Sequence, residues 1–205
     1  MAKLIFKYSS VDSGKSIDLI RTAHNYEANE YNVLIIKPCK DPNEGNKITS
    51  SIGLSRDANI ILFDNQSVVD AISGLIDDVR CIFVDNAHFL EPSHVDELFC
   101  ISKACNIPVI CYGLRNNFKM ESFPGSERLL VIADIVEEIK TLCKCGATAR
   151  YVARIENGEY VTEGDVIVTE RNSGINHEPV CADCYLQKVK KIDYKVIKKS
   201  LDLWE

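Results

Sequence analysis

The chain has 205 residues, of which 46% are hydrophobic and 26% are charged, and this ordinary globular composition argues against a disordered protein and against a membrane protein. The formal net charge of −6 repels a phosphate backbone, so nucleic acid is not expected as a partner. No apolar run approaches the roughly 20 residues that cross a bilayer. The start of the chain lacks the long apolar region of a signal peptide, so we expect a cytoplasmic protein with one main core.

Short apolar runs rich in β-branched residues alternate with helical periodicity over the first two thirds of the chain. The runs cover residues 4–8, 33–36, 60–63, 81–84, 108–112 and 132–139. Apolar residues recur at intervals of three and four over residues 16–29, 68–76 and 95–104, which is the helical period. The alternation predicts an α/β fold, with a mainly parallel sheet covered by helices on both faces.

The pattern changes after residue 140. Residues 141–188 contain turns, two cysteine pairs and little helical periodicity, which predicts a small second domain of strands and loops. Residues 189–205 alternate lysines with Val189, Ile192, Val196 and Leu201, which predicts an amphipathic helical tail whose apolar edge needs a partner. We therefore expect a main domain over residues 1–140, a small domain over residues 141–188 and a tail over residues 189–205.

A polar loop containing glycine joins the first predicted strand to the first predicted helix. Its consecutive residues match the phosphate-loop motif, with serine at the first glycine position: Ser9, Ser10, Val11, Asp12, Ser13, Gly14, Lys15 and Ser16. In such a loop the backbone N–H groups and the helix N-terminus face the phosphates, the lysine reaches the outer ones, and the serine hydroxyl can bind Mg²⁺. The loop therefore predicts a site for a nucleoside triphosphate; an ordinary helix start is the alternative.

Asp85 directly follows the fourth apolar run. Ligands of open α/β folds bind at the carboxyl ends of the strands, so this carboxylate is expected beside Ser16 as a partner of Mg²⁺. The alternative is that Asp85 caps the next helix.

The nine cysteines fall into two groups. Five of them lie in or beside apolar runs, where we expect small buried hydrophobic side chains: Cys39, Cys81, Cys100, Cys105 and Cys111. The other four form two tight pairs, Cys143 with Cys145 and Cys181 with Cys184. Four thiolates suit a closed tetrahedral Zn²⁺ site that stabilises a small unit. Two disulfides are the alternative, disfavoured in a reducing cytosol.

These residues resemble the type II thymidine kinases over nearly the whole chain, from the first strand through Cys184. The resemblance depends on the phosphate loop, the cysteine quartet and two further runs, which are Phe83-Val84-Asp85 with Phe89-Leu90, and Tyr112-Gly113-Leu114-Arg115 with Phe118, Phe123, Gly125 and Ser126.

The resemblance implies transfer of the ATP γ-phosphate to the 5′-hydroxyl of thymidine or a related deoxynucleoside, with Mg²⁺ held by Ser16 and Asp85. It places His88 with the cofactor-binding residues. It also implies a nucleoside pocket, closed by a loop within residues 166–180 and lined by Phe89, Leu114, Phe118, Phe123 and His177. Without the resemblance these aromatic residues would be interpreted as core packing, which stays an alternative for Phe123. By resemblance the protein is a homotetramer.

Several positions depart from the family. Asn86 stands where the family has the glutamate that takes the proton from the 5′-hydroxyl, and an amide cannot act as that base. The family often has an arginine in the loop after the second strand, but residues 40–43 contain none. Ser51 stands where the family has a second arginine, just before Ile52 and Gly53. His177 stands nearest to the place of a family tyrosine in the base-covering loop. A catalytically impaired pseudo-kinase that binds nucleotides as a regulator or sequesterer is therefore the alternative function.

Overall fold

The computed structural model describes residues 1–40, 45–167 and 174–201. Parts of three predictions lie outside these ranges: residues 41–43 of the loop without arginine, residues 168–173 of the base-covering loop, and residues 202–205 of the tail. The elements follow the chain as β1 (Leu4–Ser9), α1 (Lys15–Glu27), β2 (Asn32–Pro38), β3 (Lys47–Thr49), β4 (Ser55–Asp57), β5 (Ile60–Leu62), α2 (Val68–Ile72), β6 (Val79–Val84), a 3₁₀ turn (Ala87–Phe89), α3 (Pro92–Ala104), β7 (Val109–Leu114), α4 (Pro124–Ile132), β8 (Ile135–Glu138), β9 (Thr141–Leu142), β10 (Thr148–Ala149), β11 (Tyr151–Glu156), β12 (Glu159–Val161), β13 (Ile175–Val180), α5 (Ala182–Cys184), a π-helical turn (Tyr185–Val189) and α6 (Tyr194–Ser200).

The central sheet has six strands in the order β5-β2-β6-β7-β1-β8, and all of its pairings are parallel. Each of the six apolar runs contributes one strand. The last run, residues 132–139, also includes the end of α4, so its strand is shorter than the run. The predicted parallel α/β sheet is confirmed.

The sheet separates two apolar cores. On one face, Val68 of α2, Val95 of α3 and Leu129 of α4 pack with the inward side chains of the strands. On the other face, Leu19 of α1 and Ile48 of the β3–β4 hairpin pack against the opposite side. Parallel strands buried on both faces read as continuous apolar runs, as these do. Helices therefore cover both faces, as the alternation predicts.

Residues 141–189 form a second, smaller core. Strands β12, β11 and β13 make an antiparallel sheet in that order, and β9 pairs with β10. Ala153, Val180 and Tyr185 are buried between this sheet and the helical turns that follow it. The Tyr185 hydroxyl donates to the carbonyl oxygen of Phe118, which fastens this unit to the main one. The unit is mainly strands and loops, although its last segment, Ala182 to Val189, is helical.

Two expectations are wrong. The tail is not one helix from residue 189: Val189 is buried in the small core, Lys191 has a φ of 54°, and α6 begins only at Tyr194 and has no buried residue. The left-handed residue ends one helical segment before the next begins. Cys100 and Cys105 are exposed rather than buried, because they lie on the outer side and the end of α3. Across the described ranges, no helix is both long and apolar enough to traverse a membrane.

Candidate functional site

The phosphate loop connects β1 to α1 at the carboxyl edge of the sheet. Asp12 and Gly14 have φ values of 50° and 81°, and Gly14 occupies the N-cap position of α1. A cavity of about 130 Å³ opens there, lined by Asp12, Ser13, Gly14, Lys15, Ser16, Ile17, Thr49, Ser50 and Ser51. The helix N-terminus and its free N–H groups give this cavity the character of an anion site.

Lys15 folds back over the loop that precedes it. Its Nζ donates to the Ser10 carbonyl oxygen and, at 3.1 Å, to the Ser13 hydroxyl. Burial lowers the pKa of Lys15 to about 8, while the charges of Asp85 and Asp12 act in the opposite direction. The Lys15 ammonium therefore lies against the loop, beside the N-terminus of α1.

The hydroxyl groups at the start of the loop are engaged elsewhere. Ser9 donates to the Ile139 carbonyl oxygen, and Ser10 donates to the Tyr151 carbonyl oxygen at 2.7 Å. Their side chains therefore hold the loop to its surroundings, and only their backbones remain to face a ligand. Val11 lines the aromatic cavity described below.

Asp85 and Ser16 lie on one cavity, as predicted. Asp85 is 4% exposed, follows β6, and its backbone N–H donates to Ile36 of β2 at 2.9 Å. The shared cavity measures about 590 Å³ and is lined by Ser16, Lys37, Gly45, Asn46, Lys47, Thr49, Asp85 and Asn86. The residue at the N-cap of the following turn is Asn86, one position after Asp85.

Asn86 lines the same cavity in an unusual backbone conformation. Its φ of 50° is left-handed, a region in which asparagine is tolerated better than most residues, and its side chain makes no capping bond. Among the described residues lining this cavity, Asp85 is the only acid. Asp12 lines the phosphate-loop cavity, and Glu91 lies 3.7 Å from Lys40 and accepts a hydrogen bond at the start of α3. Neither carboxylate is among the residues that line the cavity of Asn86.

The five residues expected at the nucleoside line a third cavity of about 190 Å³. It is formed by Phe89, Leu114, Phe118, Phe123 and His177, together with Val11, Asn117, Val152, Val166 and Ile167. Phe89 and Phe123 meet edge to face, with ring centroids 5.7 Å apart. Phe118 and Phe123 are buried, Phe89 is half-buried, and all three line the cavity, which suits a planar apolar ligand.

His88 packs against residues that line this cavity, and it is not among the residues that line the phosphate-loop cavity. Its ring packs on Phe89 and Phe123, with centroids 4.1 and 4.7 Å away, and its Nδ1 accepts a bond from the Leu114 N–H at 3.3 Å. Burial lowers its pKa to about 3, and the charge of Lys15 acts in the same direction. The neutral imidazole therefore keeps its proton on Nε2 and supports the aromatic wall.

His177 lies opposite Arg154 in the β11–β13 pairing. Burial, reinforced by the positive charge of Arg154, lowers the pKa of His177. The Arg154 guanidinium lies 4.9 Å from the Phe118 ring centre, and it donates to the Asp165 carbonyl oxygen. Arg154 therefore supports one wall of the cavity, while His177 offers it a neutral imidazole with one donor and one acceptor.

The cysteine quartet converges as expected. The four sulfur atoms of Cys143, Cys145, Cys181 and Cys184 lie within 4.8 Å of one another, and all four are free thiols. Cys145 and Cys181 have a sulfur separation of 3.6 Å, far beyond a disulfide bond. Zinc–sulfur bonds of about 2.3 Å place tetrahedral sulfurs about 3.8 Å apart. The residues fit Zn²⁺, and the disulfide alternative fails.

Some lining residues were not expected from the sequence, notably Lys37, Lys47 and Asn117. Lys37 carries a recognisable signal, since a lysine directly after the apolar run of β2 lies at the edge where ligands bind. Asn117 has no comparable signal: its side chain accepts bonds from the N–H groups of Lys119 and Glu121, which is a local turn.

Comparisons with known proteins agree with this arrangement. The family model described as thymidine kinase matches residues 2–185. A thymidine kinase of Francisella tularensis is 38% identical over 176 residues, which cover 84% of this chain and 89% of that protein. A thymidine kinase of Streptococcus pyogenes is 38% identical over 187 residues, covering 90% and 97%, and one of Listeria monocytogenes is 38% identical over 188 residues with the same coverage. The chain therefore belongs to the thymidine kinase family.

Proposed function

We propose that this protein is an ATP-dependent deoxynucleoside kinase that transfers the γ-phosphate to the 5′-hydroxyl of thymidine or a related nucleoside. The observation that carries the proposal is that residues directly after strand β6 line two cavities. Ser16 and Asp85 share the larger one, and Phe89, three residues beyond Asn86, lines the aromatic one. A phosphoryl donor and a nucleoside bound there would lie side by side.

The phosphates of ATP would bind at the N-terminus of α1. The backbone N–H groups from Asp12 to Ser16 supply the donors, and Lys15 exchanges its bonds to Ser10 and Ser13 for phosphate oxygens. Ser16 and Asp85 would hold Mg²⁺, whose bound charge neutralises the phosphates. Both ligands offer oxygen atoms, which Mg²⁺ prefers.

The nucleoside would bind in the aromatic cavity. Phe89, Phe118 and Phe123 would supply apolar ring faces for the base, and Leu114 would add an aliphatic contact. The neutral His177 can donate one hydrogen bond and accept another, which suits the edge of a base. The Cys quartet would hold structural Zn²⁺ and keep β11 and β13, which carry Val152 and His177, in place.

A catalytically impaired pseudo-kinase is the second candidate, and Asn86 favours it. General-base catalysis contributes about 10² to 10⁴ in rate, and the amide cannot supply it. The left-handed backbone at residue 86 suits asparagine, so the substitution is accommodated by the fold. Such a protein would bind ATP as a regulator or sequesterer without turning it over.

Several further features are part of the proposal. By resemblance we propose a cytoplasmic homotetramer, to which two exposed apolar residues would contribute: Val131 of α4 and Val136 of the edge strand β8. We propose the domain limits 1–140, 141–188 and 189–205.

The experiment is a comparison of wild type with Lys15→Ala. Purified protein is incubated with ATP, Mg²⁺ and thymidine or other deoxynucleosides, and nucleotide products are separated and quantified; calorimetry with ATP runs in parallel. A kinase gives nucleoside monophosphate well above the variant. Binding of ATP without product would favour the pseudo-kinase, and the absence of both in wild type would reject the nucleotide site.

A further inference from the structure

Arg154 is buried next to the aromatic cavity, although it is not one of the residues that line it. It lies on β11 two residues after Val152, so the two side chains share a face of the strand, and its register partner on β13 is His177. Both of these neighbours line the cavity. The guanidinium lies 4.9 Å from the ring centre of Phe118, and the His177 ring lies 6.5 Å from the same ring. Arg154 therefore adjoins three lining residues.

The guanidinium also joins β11 to the segment that follows β12. One terminal nitrogen, Nη1, donates to the Asp165 carbonyl oxygen, and the other, Nη2, lies 2.7 Å from a carboxylate oxygen of Glu156. The two residues after Asp165 are Val166 and Ile167, and both line the aromatic cavity. The bond to Asp165 thus fixes the backbone directly before two lining residues.

A role in stability alone does not explain this arginine. It is 4% exposed, and its Nε is a buried donor without a hydrogen-bond partner among the described residues. An unpaired buried donor destabilises a fold, and a buried ion pair can often be replaced by packed apolar side chains without loss of stability. The planar fork of an arginine can, however, reach a carbonyl oxygen and a carboxylate at the same time. The arrangement therefore favours a role in holding one segment against another.

We propose that Arg154 is a positioning residue of the nucleoside site, and that it holds residues 165–167 against the aromatic cavity. The inference rests on the proposed function, because it takes this cavity as the place of the nucleoside base. Contacts that are held in place before binding increase affinity, because the ligand does not have to order them. Arg154 is not among the residues that line the two cavities at the phosphate loop, so it should act on nucleoside binding and not on the phosphates.

The experiment compares wild type with Arg154→Met as purified full-length chains. Affinities for ATP and for thymidine or other deoxynucleosides are measured by calorimetry, and kcat and KM are measured where product forms. We expect Arg154→Met to bind the nucleoside about tenfold more weakly and to raise its KM equally, with little change in kcat or ATP affinity. Thermal unfolding should stay close to wild type, because the unpaired Nε is removed and Glu156, 34% exposed, can be hydrated.

Lys119→Met is the matched control. The Lys119 Nζ lies 5.8 Å from the ring centre of Phe118, the ring that Arg154 also contacts, and Lys119 is half-buried. Lys119→Met removes a positive charge from the same ring and leaves the bond between Arg154 and Asp165 in place. Its nucleoside affinity should therefore stay close to wild type. An equal loss of affinity in the two variants would overturn the inference, because any cation near Phe118 would then suffice.

The position of the segment can be followed in the free protein. The methyl NMR signals of Val166 and Ile167 report it, because aromatic rings that line the same cavity shift them. These signals should change in Arg154→Met and not in Lys119→Met. Arg154→Lys should behave like Arg154→Met, because one ammonium group does not replace the planar fork. Wild-type affinity in Arg154→Lys would overturn the inference.

A second pair of variants applies if Arg154→Met does not fold. Glu156→Gln weakens the ion pair that orients the guanidinium, and it should raise the KM for the nucleoside by a smaller factor. Glu159→Gln, on an exposed residue of β12, is its control and should leave the KM unchanged. Equal KM values in these two variants would overturn the inference.

The remaining outcomes separate this inference from the proposed function. If wild type binds a nucleoside and Arg154→Met binds it equally well, the inference is overturned and the proposed function stands. A parallel loss of ATP affinity and thermal stability in Arg154→Met would show a general structural role and would also overturn the inference. If wild type binds no nucleoside, both the proposed function and the positioning role are rejected.

Discussion

Ser10 and Tyr151 join the phosphate loop to the small domain, through a hydrogen bond of 2.7 Å from the serine hydroxyl to the tyrosine carbonyl oxygen. The Ser10 carbonyl oxygen meanwhile accepts a bond from Lys15. Tyr151 begins β11, and its neighbour Val152 lines the aromatic cavity. One residue thus contacts both the cation that would reach the phosphates and the strand that forms a wall of the nucleoside cavity.

Ser10→Ala should weaken the coupling between nucleotide binding at the phosphate loop and thymidine binding in the aromatic cavity. We expect a bound ATP analogue to increase thymidine affinity in wild type, and the increase to shrink in the variant, because the loop no longer holds β11. The lost bond should lower the free energy of unfolding by about 1 kcal/mol. Calorimetric titration of thymidine with and without the analogue measures the effect. Ser200→Ala removes a similar bond on α6 and serves as control; an undiminished increase in Ser10→Ala would contradict the idea.

His88 should make the fold sensitive to acid. Burial lowers its pKa from 6.5 to about 3, so between these values the unfolded chain binds a proton that the folded chain does not. Stability therefore falls as pH falls through this window, by about 1.4 kcal/mol for each pH unit. His88→Gln should remove this contribution and flatten the dependence of the unfolding free energy on pH.

Denaturant unfolding between about pH 6 and 4 measures that slope for His88→Gln. His24→Gln is the matched control, because His24 is exposed at the end of α1 and should leave the slope as it is in wild type. A steep slope that persists in His88→Gln would show that other groups cause the acid sensitivity.

The cysteine quartet should hold one zinc ion in each chain. Removal of zinc by a chelator, or the change Cys184→Ser, should lower the free energy of unfolding by about 4 kcal/mol or more, because the small core depends on the cross-link. Elemental analysis and thermal unfolding measure these effects. Cys100→Ser alters an exposed thiol on α3 and should retain both zinc and stability. If zinc-free wild-type protein unfolds with the same free energy as the zinc-loaded protein, the metal has no structural role.

Gly125 allows a close approach of backbones beside the candidate site. A Cβ atom there would lie 2.5 Å from the Ala87 carbonyl oxygen and 2.7 Å from that of Leu90. Gly125→Ala should therefore displace the turn that carries Phe89, at a cost of about 1–3 kcal/mol, and weaken thymidine binding.

Thermal unfolding and thymidine affinity measure the effect of Gly125→Ala. Gly74→Ala is the control, since a Cβ at Gly74 meets open space and strains only its own backbone. Gly74→Ala should lose about 1 kcal/mol and keep its affinity for thymidine. Wild-type affinity in Gly125→Ala would show that the turn tolerates the shift.

Much of the site was predictable because its polar residues belong to a local motif or directly follow a predicted strand. The residues from Ser9 to Ser16 are consecutive and match one motif. Strand β1 before them and helix α1 after them lie where the periodicity predicts them. Asp85 follows a buried parallel strand, and such strands end at a common edge, so its presence beside Ser16 follows from the fold class. The aromatic lining depended instead on the family resemblance, since a buried Phe123 and a pocket Phe123 look alike in sequence.

The sequence by itself determined the parallel sheet, the phosphate loop and the cysteine quartet. Each of them depends on a local repeat of apolar residues or on a fixed spacing between motif residues. Only the tertiary structure decided that Lys37 faces the same cavity as Asp85, that the segment after Val189 breaks at Lys191, and that Cys100 and Cys105 are exposed. Periodicity tells which side chains share a face of an element. It does not tell what covers that face, because burial depends on contacts between segments far apart in the chain.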